Sequence, residues 1–128
     1  MLEEMQTPHA GQKNASLLRR LSYAGNGVTA ALKREQSLRV QIGCGFLVLA
    51  FCLVTRPPAI WCGLFSLATA LVITLELINT ALEALIDRLH PEIHAEIGFA
   101  KDCLAGAVLV TSLGAATLFA IYLAAVYL

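Results

Sequence analysis

Two acidic residues interrupt an apolar stretch that is long enough to cross a membrane. Glu76 and Glu83 lie in the run LVITLELINTALEALIDRLH, which is otherwise rich in Leu, Ile and Ala. A charged side chain at the centre of a bilayer helix costs roughly 2.5 to 3.5 kcal/mol on insertion scales, so sequences keep one where it pairs, faces a wet cavity or does chemistry. The run therefore predicts a membrane helix with a specialised polar face.

The polar residues of this run recur at the spacing of an α-helix. Counted from Glu76, the residues Asn79, Thr80, Glu83 and Asp87 follow at offsets of three, four, seven and eleven. These offsets place all of them on one helix face, while Leu, Ile and Ala occupy the other. The polar face is confined to the C-terminal half of the apolar stretch near residues 59–86, so we expect a site at one membrane boundary.

The composition of the whole chain is that of a membrane protein. Of its 128 residues, 58% are hydrophobic and 14% are charged, whereas soluble domains carry about 25% charged residues. Apolar stretches near residues 38–55, 59–86 and 103–128 are each of a length that can cross a bilayer core. The predicted fold class is an all-α membrane protein with three transmembrane helices. The net charge of zero offers no electrostatic basis for binding nucleic acid, and we expect no such partner.

The residues before the first apolar stretch divide into a tail and an amphipathic segment. Residues 1–15 are polar, and we expect them to form a tail outside the main domain of residues 16–128. Residues 16–36 carry apolar side chains at spacings of one, three and four, which predicts an amphipathic helix on the membrane surface. This helix either serves a site or only anchors the chain, and the pattern leaves both open.

The four cysteines, Cys44, Cys52, Cys62 and Cys103, lie within or beside the apolar stretches. Their spacing contains no CxxC pair and, with the histidines, matches no zinc site. We expect them to be small apolar packing residues, and the pattern implies no disulfide framework.

The distribution of basic residues predicts the orientation in the membrane. Eight of the nine Lys and Arg residues lie at the N-terminal side of the first span or between the second and third spans, where we expect a loop of about residues 88–98. Only Arg56 lies in the opposite loop. Because cytoplasmic loops are enriched in Lys and Arg, we expect the N-terminus and residues 88–102 to be cytoplasmic and the C-terminus to be outside.

A set of acidic, amide and basic residues lies where the predicted helices meet the cytoplasm. Glu35 precedes the first span, Glu76, Asn79 and Glu83 lie on the second, and Lys101 and Asp102 are at the start of the third. Carboxylates with open positions suit Mg²⁺, which keeps several waters and bridges phosphates, and a lysine suits phosphate oxygens. The set predicts phosphoryl transfer, although the sequence contains neither a GxxxxGK[ST] nor a GxGxxG motif.

Two blocks of sequence carry a resemblance to a known family. The first is Glu76-Leu-Ile-Asn79-Thr-Ala-Leu-Glu83-Ala-Leu-Ile-Asp87, and the second is Ala100-Lys101-Asp102 followed by Ala105-Gly106-Ala107-Val108. Together with Tyr23, Gly27, Glu35 and Arg39 nearer the N-terminus, they resemble the bacterial diacylglycerol kinase family. These are small integral-membrane lipid kinases, and the group includes undecaprenol kinases. The resemblance covers about residues 16–128.

The resemblance implies an enzyme that transfers the γ-phosphate of Mg-ATP to the hydroxyl of a membrane lipid. Its acceptor would be diacylglycerol and its product phosphatidic acid. The resemblance further implies Mg²⁺ as cofactor, ATP as co-substrate and a location in the bacterial inner membrane. It also implies a homotrimer of three-span subunits, each with a surface helix, whose sites are shared between neighbouring subunits.

The resemblance assigns roles to individual residues as well. Glu76 matches the general base that takes the proton from the lipid hydroxyl, and Glu76 and Arg39 match positions that bind the lipid. Glu35 and Glu83 match the metal ligands. The positions that match nucleotide-binding residues are Tyr23, Glu35, Asn79, Glu83, Asp87, Lys101 and Asp102.

Other functions stay open on the sequence. The REQSLRVQ stretch before the first span is closer to the undecaprenol kinase pattern, whereas the IDR at residues 86–88 and the loop after it are nearer the diacylglycerol kinase pattern. A small transporter would line a path with polar residues across the bilayer, but the third span carries no charge. A non-catalytic assembly protein would not need the combination of Glu35, Glu83 and Lys101.

Overall fold

The computed structural model describes residues 16–128, and the predicted tail of residues 1–15 lies outside the described part. The described residues form four α-helices and no β-strand: α1 Leu17–Arg34, α2 Gln36–Thr55, α3 Ala59–Leu89 and α4 Ala95–Tyr127. The predicted all-α class is confirmed, with one N-terminal helix followed by three apolar helices.

Helix α1 belongs to a compact unit that ends at Arg34, and residues 35–128 form a second unit. The Ser16 hydroxyl caps α1 by accepting a hydrogen bond from the Arg19 backbone N–H at 3.4 Å. Lys33 and Arg34 in the last turn complement the negative end of the helix dipole. The helix agrees with the predicted amphipathic segment 16–36, and its position on a membrane surface stays a prediction.

Helices α2, α3 and α4 are each long and apolar enough to cross a membrane. They contain 20, 31 and 33 residues. About 20 residues, at ~1.5 Å each, span a ~30 Å hydrocarbon core. Helices α3 and α4 are therefore longer than a bilayer core is thick, and part of each extends beyond it.

The connection between the second and third apolar helices is shorter than the sequence predicted. The expected loop of about residues 88–98 is reduced to residues 90–94, because α3 continues to Leu89 and α4 begins at Ala95 instead of near Cys103. Hydropathy marks the segment that lies in lipid, whereas a helix continues into water where caps satisfy its terminal N–H groups. His94 supplies such a cap, since its Nδ1 accepts a hydrogen bond from the Glu96 N–H at 3.2 Å.

The loop of residues 90–94 is exposed and carries one ion pair. The His90 N–H donates to the Ile86 carbonyl at 2.7 Å and closes α3. The His90 ring lies 3.4 Å from the Glu92 carboxylate. The pKa of the Glu92 carboxyl is lowered, first by a hydrogen bond with the Glu92 backbone and second by the hydrogen bond with the His90 ring. Both side chains are more than half exposed, so this pair contributes little to stability.

A tight turn joins α2 to α3. Arg56 ends α2 in the left-handed backbone conformation, with a φ of 48°, and its N–H donates to the Cys52 carbonyl at 2.9 Å. Pro57 and Pro58 follow and have no N–H to donate. The Pro58 carbonyl accepts a hydrogen bond from the Trp61 N–H at 2.9 Å as α3 begins. The turn folds α3 back against α2.

Helix α3 packs against both α2 and α4. Near the α2–α3 turn the three helices share a cluster of aromatic rings with centroids 5.1 to 6.1 Å apart, formed by Phe51, Trp61, Phe65, Phe119 and Tyr122. Many other large apolar side chains face outward, including Phe46, Leu67 and Leu113. One chain therefore leaves much apolar surface for lipid or for other subunits.

Candidate active site

Glu76 is the one charged residue among residues 16–128 that is buried. It is 3% exposed, and Thr80, one turn further along α3, is 8% exposed. The Thr80 hydroxyl donates to the Glu76 backbone carbonyl at 2.9 Å, a local bond that does not involve the Glu76 carboxylate. A carboxylate is costly to bury, and an ionisable residue inside a membrane helix marks a candidate functional site.

Asn79 carries an unpartnered polar atom beside Glu76. Its side-chain Oδ1 is buried and has no hydrogen-bond partner in the described part of the chain. A buried acceptor without a partner costs about 1–3 kcal/mol, which a cation or a donor would relieve. Asn79 lies between Glu76 and Glu83 on the same face of α3, so three oxygen-bearing side chains follow one another over about 10 Å of helix. This donor set fits a hard cation such as Mg²⁺, which takes oxygen ligands.

Lys101 is held at the C-terminal end of this row by acidic residues of α3. Its Nζ donates to Asp87 Oδ1 at 2.5 Å, which joins α4 to α3. The Glu83 carboxylate also attracts Lys101 electrostatically. The Lys101 and Asp87 side chains are 35% and 60% exposed, so the pair contributes little to stability. The structure thus brings Glu83, Asp87 and Lys101 together where a soluble ligand has access.

The other predicted residues lie on other helices or at their ends. Glu35 is half-buried at the N-cap of α2 in extended backbone, and its side chain makes no capping hydrogen bond. Arg39 and Asp102 are exposed on α2 and α4, and Tyr23 is half-buried in the unit that contains α1. Within residues 16–128, no three acidic, histidine or cysteine side chains converge to hold a metal ion. The predicted metal ligands Glu35 and Glu83 are therefore not part of a three-ligand group in the described part of the chain.

Two polar contacts were not predicted from the sequence. The first is the direct Asp87–Lys101 pair, which depends on the short connection between α3 and α4. The hydropathy pattern had predicted a longer loop there. The second contact is a hydrogen bond of 3.3 Å from the Gln41 amide to the Ser112 hydroxyl, which joins α2 to α4. It lines a mainly apolar cavity of about 260 Å³ between the three helices. A glutamine inside an apolar span was the signal that could have revealed it.

Comparison with known proteins identifies relatives of this chain. The model of the prokaryotic diacylglycerol kinase family matches residues 22–123. A diacylglycerol kinase of Synechocystis sp. is 34% identical over 108 residues, which cover 84% of this chain and 62% of that protein. A diacylglycerol kinase of Escherichia coli strain K12 is 30% identical over 94 residues, which cover 73% of this chain and 77% of that protein. The chain thus spans about three fifths of the length of its Synechocystis relative.

The matched region contains the whole row on α3 and the residues around it. Residues 22–123 include Tyr23 in α1, all of α2 and α3, and the part of α4 that carries Lys101. The three long apolar helices agree with a protein that resides in a membrane. Because the match covers most of the chain and two relatives reach 30% identity or more, the chain belongs to the prokaryotic diacylglycerol kinase family, a family of lipid kinases.

Proposed function

We propose that this protein is an ATP-dependent lipid kinase that transfers the γ-phosphate of ATP to the hydroxyl of diacylglycerol, giving phosphatidic acid. The observation that carries the proposal is the row of oxygen-bearing side chains on α3, from buried Glu76 through Asn79 to Glu83. The row begins in the apolar part of the helix and ends beside Lys101. It can therefore connect a hydroxyl in the membrane to a nucleotide in water. Family membership supports the class of reaction.

Glu76 is the general base in this proposal. Its carboxylate accepts the proton of the lipid hydroxyl while that oxygen bonds to the γ-phosphorus and the bond to the β–γ bridging oxygen breaks. A base buried within a membrane helix can reach the alcohol of a lipid but is shielded from solutes in the cytoplasm, which accounts for the burial of Glu76. Arg39, near the start of α2, is proposed to bind the polar part of the lipid.

Lys101 is the proposed ligand of the nucleotide phosphates. Before nucleotide binds, the ammonium group rests against Asp87, with Glu83 nearby. An exposed pair of this kind is weak enough to be exchanged, so phosphate oxygens can take the place of the Asp87 carboxylate. In this proposal Asp87 positions the Lys101 ammonium group and still allows phosphate oxygens to bind it. Tyr23 and Asp102 complete the proposed nucleotide-binding set.

The oxygen-bearing residues of the site fit Mg²⁺. Glu35 and Glu83 are the proposed carboxylate ligands, and the unpartnered Asn79 Oδ1 supports a cation or a cation-bound group at this place. Mg²⁺ keeps several waters and shares its remaining positions with substrate phosphates, so two carboxylates are a sufficient protein contribution. When bound, the ion would neutralise charge on the phosphates.

A homotrimer with shared sites is part of the proposal. The apolar helices of one chain are largely exposed, and within residues 16–128 no group of three acidic, histidine or cysteine side chains could hold a metal ion. Association of three copies would cover apolar surface and allow Glu35 of one copy to approach Glu83 of another. Small residues on α4, such as Ala107 and Gly114, permit close helix packing in lipid.

The proposed orientation places the site at the cytoplasmic face of the bacterial inner membrane. Asp87, Arg88 and Lys101 lie at the end of the bundle that also carries the 90–94 loop, and Arg56 lies in the turn at the opposite end of α3. The excess of basic residues on the side of the site favours a cytoplasmic location for it. Cytoplasmic ATP would then reach Lys101 directly.

The acceptor lipid is tested with the purified full chain in mixed micelles that contain Mg-ATP. Diacylglycerol and undecaprenol are offered in separate samples, with lipid-free micelles as a blank, and labelled phosphate in the lipid is measured. We expect transfer to diacylglycerol. Transfer to undecaprenol alone would retain the lipid kinase and replace its acceptor, whereas transfer to neither lipid would contradict the proposal. Glu96→Gln, which alters an exposed acid in the first turn of α4, serves as the control that keeps activity.

A further inference from the structure

Two cysteines face each other across the α2–α3 hairpin. Cys52 lies in the last turn of α2 and Cys62 in the first turn of α3. Both are half-buried, and both line one cavity of about 560 Å³ between the two helices. Cys44 and Cys103 are exposed elsewhere on α2 and α4. The four cysteines are therefore not equivalent, although their spacing in the sequence gave no sign of a pair.

The register of the two helices places Cys52 opposite Cys62. At Gly45 a Cβ atom would lie 2.9 Å from Thr69 Cγ2, so α2 and α3 approach each other closely at this level. Cys52 follows Gly45 by seven residues on α2, and Cys62 precedes Thr69 by seven residues on α3. Because the helices run in opposite directions and seven residues are close to two full turns, the same two faces meet again at the cysteines.

Backbone contacts of the turn hold both cysteines in place. The Cys52 carbonyl accepts a hydrogen bond from the Arg56 N–H at 2.9 Å. The Cys62 N–H donates to the Pro58 carbonyl at 3.4 Å, and its thiol donates to the Pro57 carbonyl at 3.7 Å. Each thiol is thus attached to a segment whose path is set by Arg56 and two prolines.

We propose that Cys52 and Cys62 form a disulfide bond by exchange with a soluble disulfide. One thiolate attacks the oxidant and forms a mixed disulfide, and the second thiolate displaces the remaining thiol. The Cys52–Cys62 S–S bond forms and the S–S bond of the oxidant breaks. The two cysteine thiols lose two electrons and two protons, and the oxidant leaves as two thiols. The bond would close the hairpin at the level of the α2–α3 turn.

The position of the pair gives an oxidant access to it. Both cysteines lie within one helical turn of the loop of residues 56–58, so they are near the end of the apolar segment. The orientation proposed above puts this loop on the outer side of the membrane, where disulfides form and persist. The bond itself depends only on the hairpin, so it can be tested in purified protein without reference to orientation or to kinase activity.

The test counts free thiols in the purified full-length protein in detergent after treatment with oxidised glutathione. The protein is then unfolded in dodecyl sulfate and alkylated, and its mass and peptides are measured. We expect two of four thiols to become resistant to alkylation, a peptide that joins Cys52 to Cys62, and recovery of all four thiols after reduction. Four alkylated thiols after oxidation would overturn the proposal.

Serine variants distinguish this pair from the other cysteines. Cys44→Ser and Cys103→Ser should each still lose two thiols on oxidation, because the pair is intact. Cys52→Ser and Cys62→Ser should lose none. A disulfide bond that involves Cys44 or Cys103, or a cross-link between two copies of the chain, would also overturn the proposal. Either result would show that exposure on the surface, and not the hairpin, determines which cysteines react.

Discussion

At the scale of single residues, the site combines a satisfied and an unsatisfied polar group on one helix face. The Thr80 hydroxyl donates to the Glu76 carbonyl, whereas Asn79 Oδ1 has no partner among the described residues. A hydrogen bond of the first kind contributes about 0.5–1.5 kcal/mol, and an acceptor of the second kind costs about 1–3 kcal/mol. The unpartnered Asn79 Oδ1 therefore lowers the stability of the fold, and such a loss of stability is common at functional sites.

Replacement of Asn79 tests whether its unpartnered side-chain oxygen lowers stability. Asn79→Leu removes the unpartnered acceptor, so we expect the free energy of unfolding to stay the same or to rise by about 1 kcal/mol, while kinase activity falls. Thr80→Val is the matched control, because it removes a satisfied hydroxyl and should lower stability by about 0.5–1.5 kcal/mol. Thermal unfolding in detergent measures both. A clear loss of stability in Asn79→Leu would show that Asn79 has a structural role.

The Lys101–Asp87 pair provides a second test at this scale. Lys101→Met and Asp87→Asn both break the pair, and since it is exposed, each should leave the free energy of unfolding nearly unchanged. Only Lys101→Met removes the proposed phosphate ligand. We expect it to raise the KM for ATP and lower kcat/KM far more than Asp87→Asn does, as measured by steady-state kinetics. Equal losses in the two variants would assign the role to the pair and not to the lysine.

The residues of the α3 face could be predicted because helical periodicity alone places Glu76, Asn79 and Glu83 on one side. Glu76, which lies deepest in the apolar run, is also the one of the three that is buried. The contact between Asp87 and Lys101 could not be predicted in the same way, since it requires two helices to meet across a loop whose length hydropathy misjudged. Contacts between helices depend on how the helices pack, and the spacing of residues within one helix does not predict that packing.

At the scale of helices, α2 and α3 are held together by a close approach at Gly45. A Cβ atom there would lie 2.9 Å from Thr69 Cγ2, and Thr69 is β-branched and has little freedom to turn away. At Gly43, on the same helix, a Cβ atom would meet no atom within 4 Å. Gly45 is therefore needed for the close contact between α2 and α3, whereas Gly43 is not. The sequence alone does not show this difference.

Alanine substitutions distinguish the two glycines. Gly45→Ala should lower the free energy of unfolding by about 1–3 kcal/mol because the added methyl overpacks the α2–α3 contact. Gly43→Ala should be neutral or stabilising by up to about 1 kcal/mol, since alanine is the better helix former. Adding Thr69→Ala to Gly45→Ala should restore part of the loss, which thermal unfolding of the single and double variants would measure. Equal effects of Gly43→Ala and Gly45→Ala would contradict the close approach.

The limits of the helices were predictable where composition changes abruptly and not elsewhere. The proline pair at residues 57–58 sets the boundary between α2 and α3, with α2 ending at Thr55 and α3 beginning at Ala59. The start of α4 differs by eight residues from the predicted start at Cys103. Glu96, Lys101 and Asp102 reduce the hydropathy of this segment, but they are compatible with a helix that leaves the membrane and is capped by His94.

At the scale of the whole molecule, one chain carries the polar row on α3, no three-ligand metal group among its described residues, and a large exposed apolar surface. The polar row on α3 is present, but Glu35 and Glu83 do not converge with a third ligand within the described chain. Most large side chains of α2 and α4 face outward. Both observations support the proposed trimer with sites shared between copies.

Mixing of inactive variants tests the shared site. Glu35→Gln and Glu76→Gln should each be inactive alone. If these residues act in one site but come from neighbouring copies, unfolding and refolding the two variants together should restore a measurable fraction of the wild-type activity. Each variant refolded with itself is the control. Mixed samples that are no more active than these controls would contradict the sharing of Glu35 and Glu76 between copies.

The measurement that tests the central claim most directly is phosphate transfer to diacylglycerol by Glu76→Gln at saturating Mg-ATP. Glutamine keeps the size of the side chain and removes the base, so we predict a loss of roughly 10²–10⁴-fold in kcat. Binding of a nucleotide analogue and thermal stability should be retained, because Glu76 is buried away from the exposed Lys101 end of the row. Activity within a few-fold of the wild type would contradict the assignment of Glu76 as the base of a lipid kinase.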